Sequence, residues 1–169
     1  MTTLNDDSKV ILNQQLRVDE GCILHVYKDS LGLDTIGIGR CLETKGLTNA
    51  ECDYLNLGVY SKQEVIDALK ERGISQEEAD QLLSNDIDFF TEELFNALSW
   101  LKDEPEMVKI ILINMAFNLG VNGLLQFHTT LGLIEAGNYT EAAKQMLNSK
   151  WAVQTGDRAI RLSNLLANC

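Results

Sequence analysis

Hydrophobic residues recur at helical spacing along most of this chain, and they alternate with polar residues in one short stretch. The helical spacing predicts helices at about 8–20, 61–72, 76–97, 103–119, 130–136, 139–147 and 157–167. Ser8, Ser61 and Ser75 are the expected N-caps of the first three helices, and the last two serines each begin a Ser-x-x-Glu capping box. Gly21 and Gly120 are the expected stops of the first and fourth helices.

The alternating stretch, residues 23–39, predicts a β-hairpin. The letters DSLG at its centre fit a type I turn that begins at Asp29, and Thr35 lies on the returning strand. We therefore expect an α+β protein that is mostly α. Its predicted parts are a small lobe with the hairpin at about 21–75, a linking helix at about 76–97, and a helical lobe at about 98–169 that also takes in the first helix. A cleft between such lobes is a natural ligand site.

Two acids and a hydroxyl near the hairpin are the candidate chemistry. Glu20 is the last side chain before the helix stop, where the helix dipole disfavours a carboxylate and so suits a proton donor. Asp29 lies at a solvated turn and should stay ionised, and Thr35 is placed to hold a water beside it. Two carboxyl groups in different environments can hydrolyse a glycosidic bond. Taken singly, the three residues also fit an exposed helix-end acid, a turn former and a β-branched strand residue.

The charge and cysteine content argue against several classes of function. Lys and Arg number 14 against 25 Asp and Glu, a net charge of −11, so neither nucleic-acid binding nor stable membrane insertion is expected. The N-terminus has no basic segment followed by an apolar one, and we expect synthesis in a cytoplasm. The four cysteines form no CxxC pair, so we expect free thiols, no metal site and no cofactor.

Several motifs in order along the chain resemble the phage-type lysozymes, the muramidases of glycoside hydrolase family 24. The motifs are DEG, YKD and TIGIG within residues 16–39, NDID at 85–88, INMAFNLG at 113–120, and SKWAVQTGDRA at 149–159. The resemblance is weakest at 41–75. It implies a lysozyme-like fold of two lobes and hydrolysis of the β-1,4 bond between N-acetylmuramic acid and N-acetylglucosamine in bacterial peptidoglycan.

The resemblance also implies roles for individual residues. Glu20 matches the general acid, Asp29 the second carboxylate, and Thr35 the threonine that helps to position the hydrolytic water. Inversion at the sugar carbon would follow, with Asp29 assisting a water rather than attacking the sugar. Arg158 matches an arginine that pairs with the catalytic glutamate. The positions that bind saccharide are matched by Cys41, Phe117, Thr130 and Gln145, although a core aromatic explains Phe117 equally well and Cys41 and Gln145 differ from the family in residue type.

One departure from the family leads to a structural prediction. Arg40 occupies a position that is histidine in similar members, and Asp86 matches the acid that pairs with that histidine. We therefore predict an Arg40–Asp86 ion pair without the histidine's titration between pH 5 and 8.

The resemblance implies a biological setting as well. A monomeric endolysin would wait in the host bacterial cytoplasm until a separate pore-forming protein gave it access to the wall. Two alternatives stay open: a wall-binding or interaction protein that keeps the fold without turnover, and a glycosidase that acts on chitin-like polymers.

Overall fold

The computed structural model describes residues 3–169. The chain forms two compact units, which divide inside two helices, α1 (Asp6–Glu20) and α4 (Gln76–Ala97). The sheet unit is Asn13–Asp86, and the helical unit comprises the chain up to Leu12 together with Ile87–Cys169. Helices account for 67% of the chain beside a small antiparallel sheet, which confirms the α+β class. The predicted scheme of lobes and a linking helix stays a prediction.

The sheet unit is built on three antiparallel strands in the order β1 (Ile23–Lys28), β2 (Asp34–Gly37) and β3 (Arg40–Cys41). The predicted turn is present, since the backbone N–H of Gly32 donates to the carbonyl of Asp29 at 2.9 Å. Two further helices follow, α2 (Asn49–Tyr54) and α3 (Lys62–Arg72). Apolar side chains from β2, the helices and the loops form the core of this unit: Ile36, Leu42, Cys52, Leu55, Val65, Ile66, Leu69, Ile74, Ala79 and Leu82.

The helical unit is centred on α5 (Glu106–Leu119), in which every residue from Val108 to Ala116 is buried. This burial matches a sequence that is apolar on nearly every side of the helix. A 3-10 helix, Ser99–Asp103, precedes it. The remaining helices are α6 (Val121–Leu125), α7 (His128–Glu135), α8 (Tyr139–Leu147), α9 (Lys150–Thr155) and α10 (Asp157–Ala167).

The helix ends confirm some predicted caps and correct others. Ser8 lies inside α1, and its backbone N–H donates to the side chain of Asn5 at 2.8 Å, so Asn5 replaces Ser8 as the capping residue. Ser75 makes both bonds of its predicted capping box with Glu78, at 3.1 and 2.7 Å. The Ser61 box is wrong, because its hydroxyl donates to the Glu64 carboxylate and caps no backbone group.

Within residues 3–169, none of the helices is both long enough and apolar enough to cross a membrane.

Candidate active site

Glu20 lies at the end of α1, where Gly21 takes a left-handed conformation with φ +69° and stops the helix. The carboxyl is partly buried and packs on the backbone of Gly39, which lies between β2 and β3. A Cβ added at Gly39 would lie 2.9 Å from Oε2 of Glu20, and φ is +72° at this position. The left-handed dihedral favours glycine, and a larger residue would push the Glu20 carboxyl away, so Gly39 allows the Glu20 side chain to lie directly on the chain between β2 and β3.

Asp29 uses one carboxylate oxygen to build the turn. Its Oδ1 accepts the backbone N–H groups of Leu31 at 2.8 Å and Leu33 at 2.9 Å. This is the local hydrogen bonding that makes aspartate a turn former. The turn therefore fixes the direction of the carboxylate and leaves Oδ2 for other partners.

Thr35 reaches that second oxygen. Its hydroxyl lies 3.4 Å from Oδ2 of Asp29 and 3.2 Å from the carbonyl oxygen of Leu33. Thr35 is 3% exposed, so strand β2 holds its hydroxyl at a fixed place beside the turn. The hairpin thus brings together Asp29 and Thr35, and the end of α1 brings Glu20 against Gly39 in the same unit.

The strand register sets two more side chains beside Thr35. Tyr27 on β1 and Cys41 on β3 are its direct cross-strand partners. Residues opposite one another in antiparallel strands share a face, so the sheet presents the row Tyr27–Thr35–Cys41. Burial, followed by the negative charges of Glu20 and Asp29, raises the pKa of the Tyr27 phenol above its usual value.

Arg40, next to Gly39, anchors β3 in the interior of the sheet unit. Its guanidinium donates to Asp86 at 3.0 Å, so the predicted ion pair is present. It also forms a two-pronged pair with Glu51, at 2.9 Å for each contact. Lys45 contacts Asp86 as a further cation. Burial opposes the charge on Glu51, but the hydrogen bonds and charge of Arg40 outweigh it and lower the pKa of Glu51 to about 2.

Arg158, Phe117, Thr130 and Gln145 lie in the helical unit, whereas Glu20 and Cys41 lie in the sheet unit. Arg158 is buried on α10, and its guanidinium donates to the side chain and backbone of Asn114 at 2.9 and 3.1 Å. Its pairing with Glu20 stays a prediction. Phe117 is partly buried and stands 5.5 Å from the ring of Phe90.

Thr130 and Gln145 line one cavity of about 560 Å³ in the helical unit. Phe127 and Trp151 form part of its wall, with ring centres 6.2 Å apart in an edge-on arrangement. The Trp151 indole is held by a 2.8 Å hydrogen bond to Asn118. Aromatic faces beside amide and hydroxyl groups suit a saccharide, so this cavity is where the predicted roles of Thr130 and Gln145 are best tested.

The four cysteines are free thiols, as expected. Among residues 3–169 the structure shows no group of three His, Cys, Asp or Glu side chains that would hold a metal ion.

The comparisons with known proteins agree with this geometry. A family model described as phage lysozyme matches residues 17–165. The probable T4-type lysozyme 1 of Dictyostelium discoideum is 34% identical over 158 residues, covering 92% of each chain. The probable T4-type lysozyme 2 of the same organism is 32% identical, covering 89% of this chain and 90% of its own. The pre-baseplate central spike protein Gp5 of Enterobacteria phage T4 is 31% identical over 96% of this chain but only 28% of its own length.

This chain therefore belongs to the phage lysozyme family, and it is a glycoside hydrolase of the lysozyme kind.

Sequence reasoning missed two residues near the candidate site. Glu51 was signalled by the capping pattern Thr48-x-x-Glu51, which the structure confirms. Tyr27 was signalled by its place two residues before Asp29, within the motif YKD.

Proposed function

We propose that this chain hydrolyses the β-1,4 bond between N-acetylmuramic acid and N-acetylglucosamine in peptidoglycan, with Glu20 as general acid and Asp29 as the partner of the attacking water. One observation carries the proposal. In the sheet unit, Glu20 is partly buried and packs on Gly39, and the neighbouring hairpin carries Asp29. The Oδ1 atom of Asp29 builds the turn, and its Oδ2 atom lies beside the Thr35 hydroxyl. Relatives named T4-type lysozyme support the same substrate.

The proposed reaction needs only groups of the protein, the glycan and water. Glu20 gives its proton to the glycosidic oxygen as the bond from that oxygen to the sugar carbon breaks. A water held by Asp29 and Thr35 attacks the carbon from the opposite face, and its proton passes to Asp29. The product then has the inverted, α configuration. No metal or organic cofactor takes part in this scheme.

The test compares Glu20→Gln with the wild type on purified peptidoglycan. Glutamine keeps the shape but cannot donate a proton, so we expect the release of new reducing ends to fall by at least about 100-fold. Proton NMR of the first products of the wild type should show the α anomer. Glu71→Gln is the matched control, because Glu71 is an exposed acid on α3 of the same unit, and it should keep the wild-type rate.

Other outcomes would overturn the proposal in distinct ways. Wild-type turnover by Glu20→Gln would remove Glu20 as the acid. Binding of peptidoglycan by the wild type without any new reducing ends would favour a wall-binding protein. Faster cleavage of chitin oligomers than of peptidoglycan would favour a chitin-type glycosidase. A β anomer among the first products would contradict inversion.

We propose further that the protein acts as a monomeric endolysin in host lysis, from the bacterial cytoplasm, after a separate pore-forming protein has opened the membrane. The likeness to the spike protein Gp5 favours a second setting, a part of the virion, since 96% of this chain matches only 28% of that protein. Expression in a bacterium tests the first setting. Lysis that requires a co-expressed pore-forming protein supports the endolysin role, whereas recovery of the chain in purified virions supports the second setting.

A further inference from the structure

Thr35 stands in the middle of the row Tyr27–Thr35–Cys41, with one direct neighbour on each side. The register pairs Tyr27 with Thr35 across β1 and β2, and Thr35 with Cys41 across β2 and β3. Thr35 itself is buried, whereas Tyr27 and Cys41 are partly exposed. The two flanking side chains are therefore the ones that a bound ligand can touch on either side of Thr35.

Two observations relate the Tyr27 phenol to the carboxylates of the candidate site. Asp29 follows Tyr27 by two residues and thus begins on the same side of the strand, and its Oδ2 meets the Thr35 hydroxyl at 3.4 Å. Glu20 and Asp29 both act on the charge of the Tyr27 oxygen, and together with burial they keep its proton in place by raising its pKa. Because a phenol with a pKa above 10 keeps its proton at neutral pH, the Tyr27 hydroxyl is a hydrogen-bond donor there.

We propose that Tyr27 is a substrate-binding residue of the hydrolytic site, whose phenolic O–H donates to a hydroxyl or acetamido oxygen of the sugar held between Glu20 and Asp29. The two carboxylates of an inverting glycosidase act on opposite faces of one sugar. Tyr27 is partly exposed and pairs across the sheet with Thr35, whose hydroxyl lies at Asp29, so its side chain borders the place of that sugar. Tyrosine has a longer side chain than threonine, and Tyr27 is partly exposed whereas Thr35 is buried. We therefore assign Thr35 to the water and Tyr27 to the glycan. The inference rests on the proposed function.

Kinetics of Tyr27→Phe test the hydroxyl without removing the ring. On soluble oligosaccharides of alternating N-acetylglucosamine and N-acetylmuramic acid, kcat/KM should fall by about tenfold, the value of one hydrogen bond. Tyr60→Phe is the matched control, because its phenol donates at 2.6 Å to Asp53 on the exposed surface of the same unit. It should stay within about twofold of the wild type. The melting temperatures of both variants report whether folding is retained.

A second measurement needs no turnover. NMR titration of ¹³Cζ-labelled tyrosine follows each phenol, and Tyr27→Phe identifies the signal of Tyr27. Glu20→Gln removes one of the two charges and should lower the pKa of Tyr27 while leaving that of Tyr60 unchanged. Adding the oligosaccharide to the Glu20→Gln protein should shift the Tyr27 signal, because the glycan binds without being cut.

The outcomes separate the two proposals. If the wild type cleaves the glycan but Tyr27→Phe is as active as Tyr60→Phe, the role of Tyr27 is wrong and the proposed function stands. A Tyr27 signal that responds neither to Glu20→Gln nor to the oligosaccharide would also overturn the role of Tyr27. If the wild type releases no reducing ends although the Tyr27 signal shifts with the glycan, the proposed hydrolysis fails and the binding role stands.

Discussion

The two units of this lysozyme have different kinds of interior. In the sheet unit, Arg40, Glu51 and Asp86 are buried and linked by charge-assisted hydrogen bonds. In the helical unit, α5 contributes a run of buried residues from Val108 to Ala116 that is mostly aliphatic. Charge-assisted hydrogen bonds are directional and fix the orientation of the groups that they join, whereas the hydrophobic effect is non-directional. Among the described residues, the sheet unit buries more charged side chains than the helical unit, and it is the unit that carries Glu20, Asp29 and Thr35.

The location of the charged cluster explains this association. Arg40 follows Gly39 directly, and Gly39 is the residue on which the Glu20 side chain packs. Arg40 is held by Glu51 and Asp86, so β3 cannot shift without breaking several charge-assisted bonds. The cluster thus supports the part of the backbone that positions the proposed general acid. This support depends on charge. The following predictions compare it with the apolar packing around Ile111 in the helical unit.

The largest expected effect is that of Arg40→Met. Methionine keeps the apolar length of the side chain but leaves Glu51 and Asp86 buried without the guanidinium, which should cost about 3–5 kcal/mol in the free energy of unfolding. Urea unfolding measures it. Arg17→Met is the control, because Arg17 pairs with Asp80 near the surface, and it should cost less than about 1 kcal/mol. Equal losses in the two variants would refute the importance of the buried cluster.

Acid should weaken the sheet unit through Glu51. Its folded pKa of about 2 lies below the ordinary value of 4.5, so its contribution is complete above pH 4.5 and is lost as pH falls towards 2. That difference corresponds to about 3 kcal/mol. Urea unfolding between pH 6 and pH 2.5 should show a steeper loss of stability for the wild type than for Glu51→Gln. Parallel curves would mean that Glu51 is not the titrating group.

The apolar packing of α5 should respond to volume and not to pH. Ile111 is fully buried in α5, and Ile111→Val removes one methylene group there. We expect a loss of about 1 kcal/mol in the free energy of unfolding. The loss should be the same at pH 4 and pH 7, because the substitution changes no titrating contact. A loss that varied with pH would show that α5 is coupled to charged groups.

The smallest effect concerns two helix caps within the sheet unit. Thr48→Ala removes a complete capping box with Glu51 at the start of α2 and should cost about 1 kcal/mol in the free energy of unfolding. Ser61→Ala should cost at most a few tenths, because the Ser61 side chain caps no backbone group of α3. Thermal unfolding of the two variants compares them. A larger loss for Ser61→Ala would reverse the assignment of the caps.

The sequence predicted the long elements of the fold well and the short ones poorly. Helices with two or more turns of periodic apolar residues were found, including α8. Helices α2, α6 and α9 have five or six residues, too few for a period to stand out. Ser8 failed as a cap because Asn5, three residues earlier, reaches the same N–H group.

The candidate site was predicted where it depends on local structure. The end of α1 and the DSLG turn follow from glycines and from the aspartate's own hydrogen bonds, so Glu20 and Asp29 could be placed from the sequence. The partners that these side chains meet in the folded structure could not be predicted from the sequence. Nothing near Arg40 in sequence indicates that Glu51, 11 residues away, would share its guanidinium with Asp86. The pairing of Tyr27 with Thr35 depends likewise on a register with an irregularity between Ile23 and Tyr27.

The division of the chain has a consequence for the order of events during synthesis on the ribosome. The sheet unit is one continuous segment that ends at Asp86, so all its contacts can form while the rest of the chain is still being made. The helical unit joins the beginning of the chain to its end. The bonds of Asn5 and Ser8 to Glu106 must wait until that residue has emerged, and α10 must wait longer still. Since domains tend to fold as units during translation, the unit with Glu20, Asp29 and Thr35 should be assembled first.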